Sequence, residues 1–280
     1  MKIIGFAQLR NELQKGNLKN FLKCMTAACD YTYIWDDNSD DGSQEFYKKF
    51  KNIETILSDT NIHAEKGTDI LPKKKLLEKL LKEHPDVDWI FWMDGDTLID
   101  GRLIRDNAAD LKLTLQEHLN MGTQCLSLGH LNLWRSDTRY RIDSLYHWLN
   151  NQGVKAFWRN TGNLHFIDEG GLHQEQWPKG FDETKIKTFK VPSKPSRLKG
   201  YAPCLIHRGF ATDEQIINKY NFYKRMGQEG WDLERLLDEN ALLTVKLRKE
   251  MLPDFFEIKD DTDPSNKEKI LNIYNKNEGN

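Results

Sequence analysis

The run Val87-Asp88-Trp89-Ile90-Phe91-Trp92-Met93 has a single polar member and is followed at once by Asp94-Gly95-Asp96. A strand with large apolar side chains at consecutive positions has no face to offer water. It therefore belongs inside a sheet covered on both sides. Its apolar core, Trp89–Met93, is the longest such run in the chain. That is far short of the roughly 20 residues that a membrane-spanning helix needs.

Similar runs alternate with helical patterns ahead of it. Lys2–Ala7 reads as a buried strand, and Leu13, Phe21, Leu22 and Met25 then recur at helical spacing. Tyr31–Trp35 is β-branched and aromatic, a second strand that runs into the polar turn Asp36–Ser43. Ile53–Leu57 is a third. Pro72 suits the first turn of a helix whose stripe is Leu76, Leu77, Leu80 and Leu81, ended by His84-Pro85. Strand–helix alternation of this kind predicts an α/β fold with a mostly parallel central sheet flanked by helices.

Past residue 120 the pattern changes. Strands are expected at Cys125–Trp134, Ala156–Arg159, Ile186–Val191 and Pro203–His207, and a helix at Tyr140–Leu149. Residues 162–200 are rich in Gly, Pro, His and charge and read as long loops around the third of those strands. Thr212 and Gln215 form a capping box for a helix with Ile216, Tyr220 and Tyr223 on its inner face and Gly227 at its end. Trp231–Leu252 reads as a further amphipathic helix, and residues 259–280 as a polar, loosely docked tail.

Composition excludes several classes. Only 38% of the 280 residues are hydrophobic and mean hydropathy is −0.72, but 8 Trp, 9 Tyr and 13 Phe supply the rings for a core. Lys and Arg number 41 against 43 Asp and Glu, a net charge of −2, so there is no basic excess for nucleic acid. The start, MKIIGFAQLRNE, is too short in apolar residues for a secretory segment. Cys24, Cys29, Cys125 and Cys204 have neither zinc-ligand nor disulfide-framework spacing, and four reduced thiols fit a cytoplasmic protein.

Three polar groups stand where an α/β sheet places ligands, beyond the carboxyl ends of strands. Asp94 and Asp96, separated by a permissive Gly95, can both approach one hard cation such as Mg²⁺ or Mn²⁺, or else form an acidic surface turn. Asp36 and Asp37 can hydrogen-bond a ribose or a base N–H, or simply make the turn with Asn38 and Ser39. His207, at a strand end before Gly209, is a metal ligand or a hydrogen-bonded structural histidine.

Arg10-Asn11-Glu12, then Asn17-Leu18 and Phe21-Leu22, then Trp35-Asp36-Asp37-Asn38-Ser39-Asp40-Asp41-Gly42-Ser43, then Met93-Asp94-Gly95-Asp96 resemble, in order and spacing, the glycosyltransferase family 2 type of nucleotide-sugar enzyme. Residues 132–143 and 204–223 are similar to a bacterial and viral branch of that superfamily. The resemblance implies a GT-A fold in one domain over residues 1–258, with a nucleotide-sugar half in 1–100, an acceptor half with C-terminal helices in 101–258, and the polar tail beyond. It implies a nucleoside-diphosphate sugar of UDP or GDP type as donor and a glycan or other hydroxyl as acceptor. Asp37 and Asp36 would bind the nucleoside, Arg10, Asn11 and Glu12 would lie by the nucleotide, and Asp94 would serve the ribose or the metal. Asp96 would hold Mn²⁺ or Mg²⁺, with His207 completing the site. Lys73, at the head of Lys73–Lys75, is a donor contact or part of a solvated helix start.

Transfer with inversion, again an implication of the resemblance, needs a carboxylate to take the acceptor proton. Asp168 and Glu169 lie in a Gly-bearing loop of the acceptor half, with Glu169 preferred and Asp143 in reserve. His165 and His173 flank that loop, and Trp134, Trp148, Trp158 and Trp177 offer faces for a sugar or serve as core. Two other classes compete. A catalytically silent sugar- or nucleotide-binding protein could use the same fold. An aspartyl phosphohydrolase would need Thr where Leu98 stands.

Overall fold

The computed structural model describes residues 1–59, 70–143, 153–167, 177–189, 202–225, 227 and 242–265. The first half is built as the alternation predicts. β1 (Ile3–Leu9), α1 (Leu18–Ala28), β2 (Tyr31–Asp36), the short α2 (Ser43–Tyr47), β3 (Ile53–Leu57), α3 (Ile70–Glu83) and β4 (Trp89–Trp92) follow in order. β3, β2, β1 and β4 lie side by side and parallel. β1 alternates its faces: Ile3, Ala7 and Leu9 pack with Phe21, Leu22 and Met25 of α1, while Ile4 and Phe6 pack with Leu76, Leu77 and Leu80 of α3. β4 does the same, with Trp89 and Phe91 on the first face and Ile90 and Trp92 on the second, so it is buried on both sides.

β5 (Thr97–Ile99) follows β4 directly and leads into α4 (Gly101–Asn120), two elements the periodicity does not single out. The helix is capped by the Asp100 carboxylate, which accepts from Arg102 N–H, and its backbone leaves the helical range at Arg105–Ala108. β6 (Cys125–Asn132), β8 (Val154–Arg159), β9 (Ile186–Thr188) and β10 (Cys204–His207) complete a nine-stranded sheet among the described residues, with the main path β3-β2-β1-β4-β8-β6-β10-β5. β8 runs antiparallel to β4 and β6, and β10 parallel to β6.

This order requires a curled sheet. β5 stands four ladder steps from β4, which in a flat sheet is about 19 Å. The connection is nevertheless a tight turn, in which Thr97 N–H donates to the Asp94 carbonyl. The far edge must fold back toward the centre, and Asp94-Gly95-Asp96 is the turn that joins them.

Two helical expectations are corrected. Tyr140 and Arg141 belong to β7 (Arg139–Arg141), paired antiparallel with β11 (Thr244–Lys246), which replaces the end of the expected helix 231–252. A 3₁₀ turn at Lys249–Met251 follows. The alternating Arg-Tyr-Arg pattern suits a ladder, where Tyr140 turns to the core and Arg141 to a buried carboxylate. Residues 144–152 and 228–241 of those expected helices lie outside the described residues. The capping box is formed: Thr212 Oγ1 accepts from Gln215 N–H and Gln215 Oε1 from Thr212 N–H, both at 3.2 Å, at the head of α5 (Asp213–Arg225). The polar stretch after 258 is docked rather than loose as far as Ser265. Asp137 accepts from Lys259 and Asp260 N–H, Thr138 and Lys246 bond Asp261, and Arg139 pairs with Asp263. No helix among the described residues is long and apolar enough to cross a membrane.

Candidate active site

The register of the parallel strands places their carboxyl ends together. Leu9 stands opposite Asp36, and Phe6 opposite Trp92, so β1 overshoots β4 and ends beside the acidic turn. Gly95 is required there because a Cβ would lie 2.7 Å from Leu9 Cδ2 and 2.8 Å from Glu12 Cγ. Asp94 is exposed, although neighbouring groups crowd its carboxylate enough to desolvate it in part. That crowding, and then the charge of Asp96, raises its pKa, while Lys73, His207 and Lys219 pull it back.

Asp96 is brought to His207 by the antiparallel pairing of β5 with β10, in which His207 stands opposite Thr97. The Asp96 carbonyl accepts from Arg208 N–H at 2.7 Å. The Asp96 carboxylate lies 3.2 Å from His207 Nε2 and 3.2 Å from Lys219 Nζ, and Lys219 Nζ lies 3.1 Å from His207 Nε2. Burial alone would raise the Asp96 pKa. The charges and hydrogen bonds of His207 and Lys219 outweigh it and hold the group well below the ordinary carboxylate range. His207 Nδ1 donates to Asn132 Oδ1 at 2.8 Å, which fixes the ring with Nε2 turned toward Asp96 and Lys219. The neighbouring His130, 4.9 Å away between ring centres, is pushed down to about 3 by burial and by the charge of His207, so it stays neutral. A Cβ at Gly209 would overlap Asp96 Oδ2, His207 Nε2 and Lys219 Nζ at once, so a larger residue would have to displace the ends of these side chains.

The remaining candidates divide by what their side chains already do. Asp36 is fully buried and accepts from Ser39 N–H, Gln44 Nε2 and Tyr47 Oη, so it holds the loop after β2. Burial and the Asp36 charge raise the Tyr47 phenol in return. Asp37 follows it, with its N–H on the Leu9 carbonyl, at the same sheet edge as the acidic turn. Asn11, at φ 52°, exchanges two hydrogen bonds with Asp40 and gives its N–H to Ser39 Oγ, tying the loop after β1 to that after β2. Glu12 is buried beneath Gly95. It accepts from Lys15 and Asn17, and desolvation raises its pKa despite Lys15, with Asp96 adding to the rise. Arg208 extends this floor by donating to Asn17 and Asp137. Arg10 Nη1 is buried without a hydrogen-bond partner, an arrangement that favours an anionic ligand.

Lys73 is buried rather than solvated: its ammonium lies 4.6 Å over the Trp92 ring and acts on Asp94. Asp143 is bound by Arg141 Nε at 2.8 and 3.0 Å and accepts from Leu243 N–H. Asp168, Glu169, His173 and Trp148 lie outside the described residues. Trp134 and Trp158 are core, Trp134 stacked on Phe210 and lying under Arg141. Lys155 covers the ring of Trp177. The four cysteines are free and buried.

The sequence pattern marks neither Lys219 nor Asn132 as a site residue. The available signal for Lys219 is its position three residues past Ile216, on the inner stripe of α5. No group of three His, Cys, Asp or Glu side chains among the described residues is arranged to hold a metal. The Asp96–His207 pair does fit two neighbouring ligands of one ion: their 3.2 Å separation compares with about 3.0 Å between adjacent octahedral ligands at bond lengths near 2.1 Å.

The model of the galactosyl transferase GMA12/MNN10 family matches residues 42–137, a stretch that contains the Asp94-Gly95-Asp96 turn. No curated protein matches the chain. Among solved structures, an active-site mutant of LgtC is similar at 14% identity and a TM-score of 0.26, over 45% of this chain and 45% of that one. A 4-diphosphocytidyl-2C-methyl-D-erythritol synthase is similar at 12% identity and a TM-score of 0.31, over 97% of each chain. The chain thus spans less than half of the LgtC structure it matches. The family match covers residues 42–137 of the 280 and includes the acidic turn, which sits on a curled α/β sheet with helices on both faces.

Proposed function

We propose that the chain transfers a sugar from a nucleoside-diphosphate donor to a hydroxyl of a glycan or other acceptor, with inversion and with Mg²⁺ or Mn²⁺. The observation that carries the reading is the convergence of Asp94, Asp96 and His207 at the carboxyl edge of the sheet where Asp37 also lies. Asp37 takes the nucleoside. Arg10, with its orphaned buried nitrogen, and Lys73, held over Trp92, face the diphosphate. Asp96 and His207, with Asp94, hold the cation, which when bound supplies positive charge to the leaving diphosphate. Glu169, or Asp168 beside it, takes the proton of the acceptor hydroxyl. The oxygen then bonds to the anomeric carbon from the face opposite the departing nucleoside diphosphate. Asp143 is left out of this role because Arg141 and Leu243 N–H occupy it.

The test is calorimetric titration of UDP and GDP with Mn²⁺ against the wild type and Asp96→Asn. Mn²⁺-dependent binding should be lost in the variant, since a divalent site that loses an anionic oxygen falls in affinity by orders of magnitude. Undiminished binding by Asp96→Asn refutes the site. Slow hydrolysis of the bound nucleotide sugar separates a transferase from a silent binder, and attack on phosphomonoesters would instead identify a phosphohydrolase.

A further inference from the structure

We infer that Lys219 is the resident cation of this site and that a divalent metal enters by exchange with its ammonium. The inference rests on the reading that Asp96 and His207 are metal ligands, and it adds a residue which that reading does not use. Asp96 Oδ2, His207 Nε2 and Lys219 Nζ form a nearly equilateral triangle with sides of 3.1 to 3.2 Å. Two corners belong to groups that can ligate a cation: a carboxylate oxygen, and the ring nitrogen that the Asn132 bond turns toward the ammonium. The ammonium stands beside both.

The fold puts it there. Lys219 lies on α5, which is anchored by its capping box and by Ile216, and its ammonium lies 4.9 Å over the Phe210 ring. On the other side the Gly209 backbone presses so close that not even a Cβ fits against the three groups. A metal ion bound to Asp96 and His207 would therefore share the corner with a like charge about 3 Å away, where repulsion is strong in a partly desolvated site. The two cations exclude one another. The four-carbon stem of lysine lets the ammonium swing outward, and a diphosphate arriving at the site gives it an anionic partner. Metal alone should consequently bind weakly, and metal with nucleoside diphosphate tightly.

Lys219→Met keeps the apolar stem on Phe210 and removes the charge. In calorimetric titration without nucleotide, Lys219→Met should bind Mn²⁺ at least about tenfold more tightly than the wild type, a difference of 1.4 kcal/mol. Lys219→Arg should bind Mn²⁺ as weakly as the wild type. Without metal, Lys219→Met should melt below the wild type, because the Asp96 charge has lost its partner, and Mn²⁺ should restore it. Equal or weaker Mn²⁺ binding by a folded Lys219→Met protein overturns the inference. If that variant does not fold, Lys219→Gln carries the same comparison. Asp96→Asn in the same titration keeps the two readings apart. If Asp96→Asn binds Mn²⁺ like the wild type, the metal lies elsewhere and the site reading fails. If Asp96→Asn loses binding while Lys219→Met gains none, only the exchange fails. Absence of Mn²⁺ binding by all four proteins refutes both.

Discussion

Asp143→Asn separates architecture from chemistry most directly. The Arg141 side chain is 2% exposed and that of Asp143 10%, and the pair also lies at the junction of β7 with the strand that carries Thr244. Removing one partner of a buried pair costs about 3–5 kcal/mol, because the other charge is left without compensation. Asparagine retains one oxygen for Leu243 N–H or for the guanidinium, and Arg141 still stacks on Trp134. That places the variant near the lower end, about 3 kcal/mol. For a chain of this size the melting temperature should fall by roughly 6–12 °C. Differential scanning calorimetry reads that shift. Transfer measured at low temperature, per folded molecule, should stay within a few-fold of the wild type. Arg141→Met should cost a similar amount, and the double variant less than the sum of the two, as expected of residues in direct contact. A variant with unchanged melting temperature whose transfer falls by 10²-fold or more, the usual share of a general base, would refute this assignment and make Asp143 the base.

Glu169→Gln keeps size and hydrogen bonding but removes basicity, so transfer should drop roughly 10²–10⁴-fold with donor affinity nearly intact. Near-wild-type rates for both Glu169→Gln and Asp168→Asn would exclude that loop. Asp37→Ala should raise the donor KM far more than it lowers kcat, because a nucleoside contact is mostly uniform binding; steady-state kinetics decide this, and a collapse of kcat alone would contradict it. Gly209→Ala should abolish Mn²⁺ binding and transfer together, since the added methyl overlaps the groups of the triangle. A Gly209→Ala protein with wild-type Mn²⁺ affinity would show that the cluster can relax.

Much of the framework is written in local pattern. Ile53–Leu57 is a strand with the bounds its composition indicates, the stripe Leu76, Leu77 and Leu80 is the buried face of α3, and the Thr212–Gln215 box forms as spaced. The unbroken apolar run before Asp94 is buried on both faces. These features depend on side chains within one or two turns of each other, which is the range over which periodicity and capping act. The Asp36–Asp37 pair marks the limit of such reasoning. Adjacent aspartates are equivalent in composition, and both are buried; only the fold shows that the partners of the first include Tyr47, Gln44 and Ser39.

Pairing between distant segments lies beyond local pattern. Tyr140–Arg141 carries a sequence compatible with a helix, but residues a hundred positions later supply the ladder partner that makes it a strand. Context of that kind outweighs propensities of a few tenths of a kcal/mol. The association of Asp96 with His207 arises in the same way. Each sits at the end of its own strand, and nothing within ten residues of either refers to the other. They meet because β5 pairs with β10 and the sheet curls to let the turn after β4 close. Lys219 arrives with them as a passenger on the inner face of α5, a charge on an apolar stripe that acquires a partner only once the helix has packed.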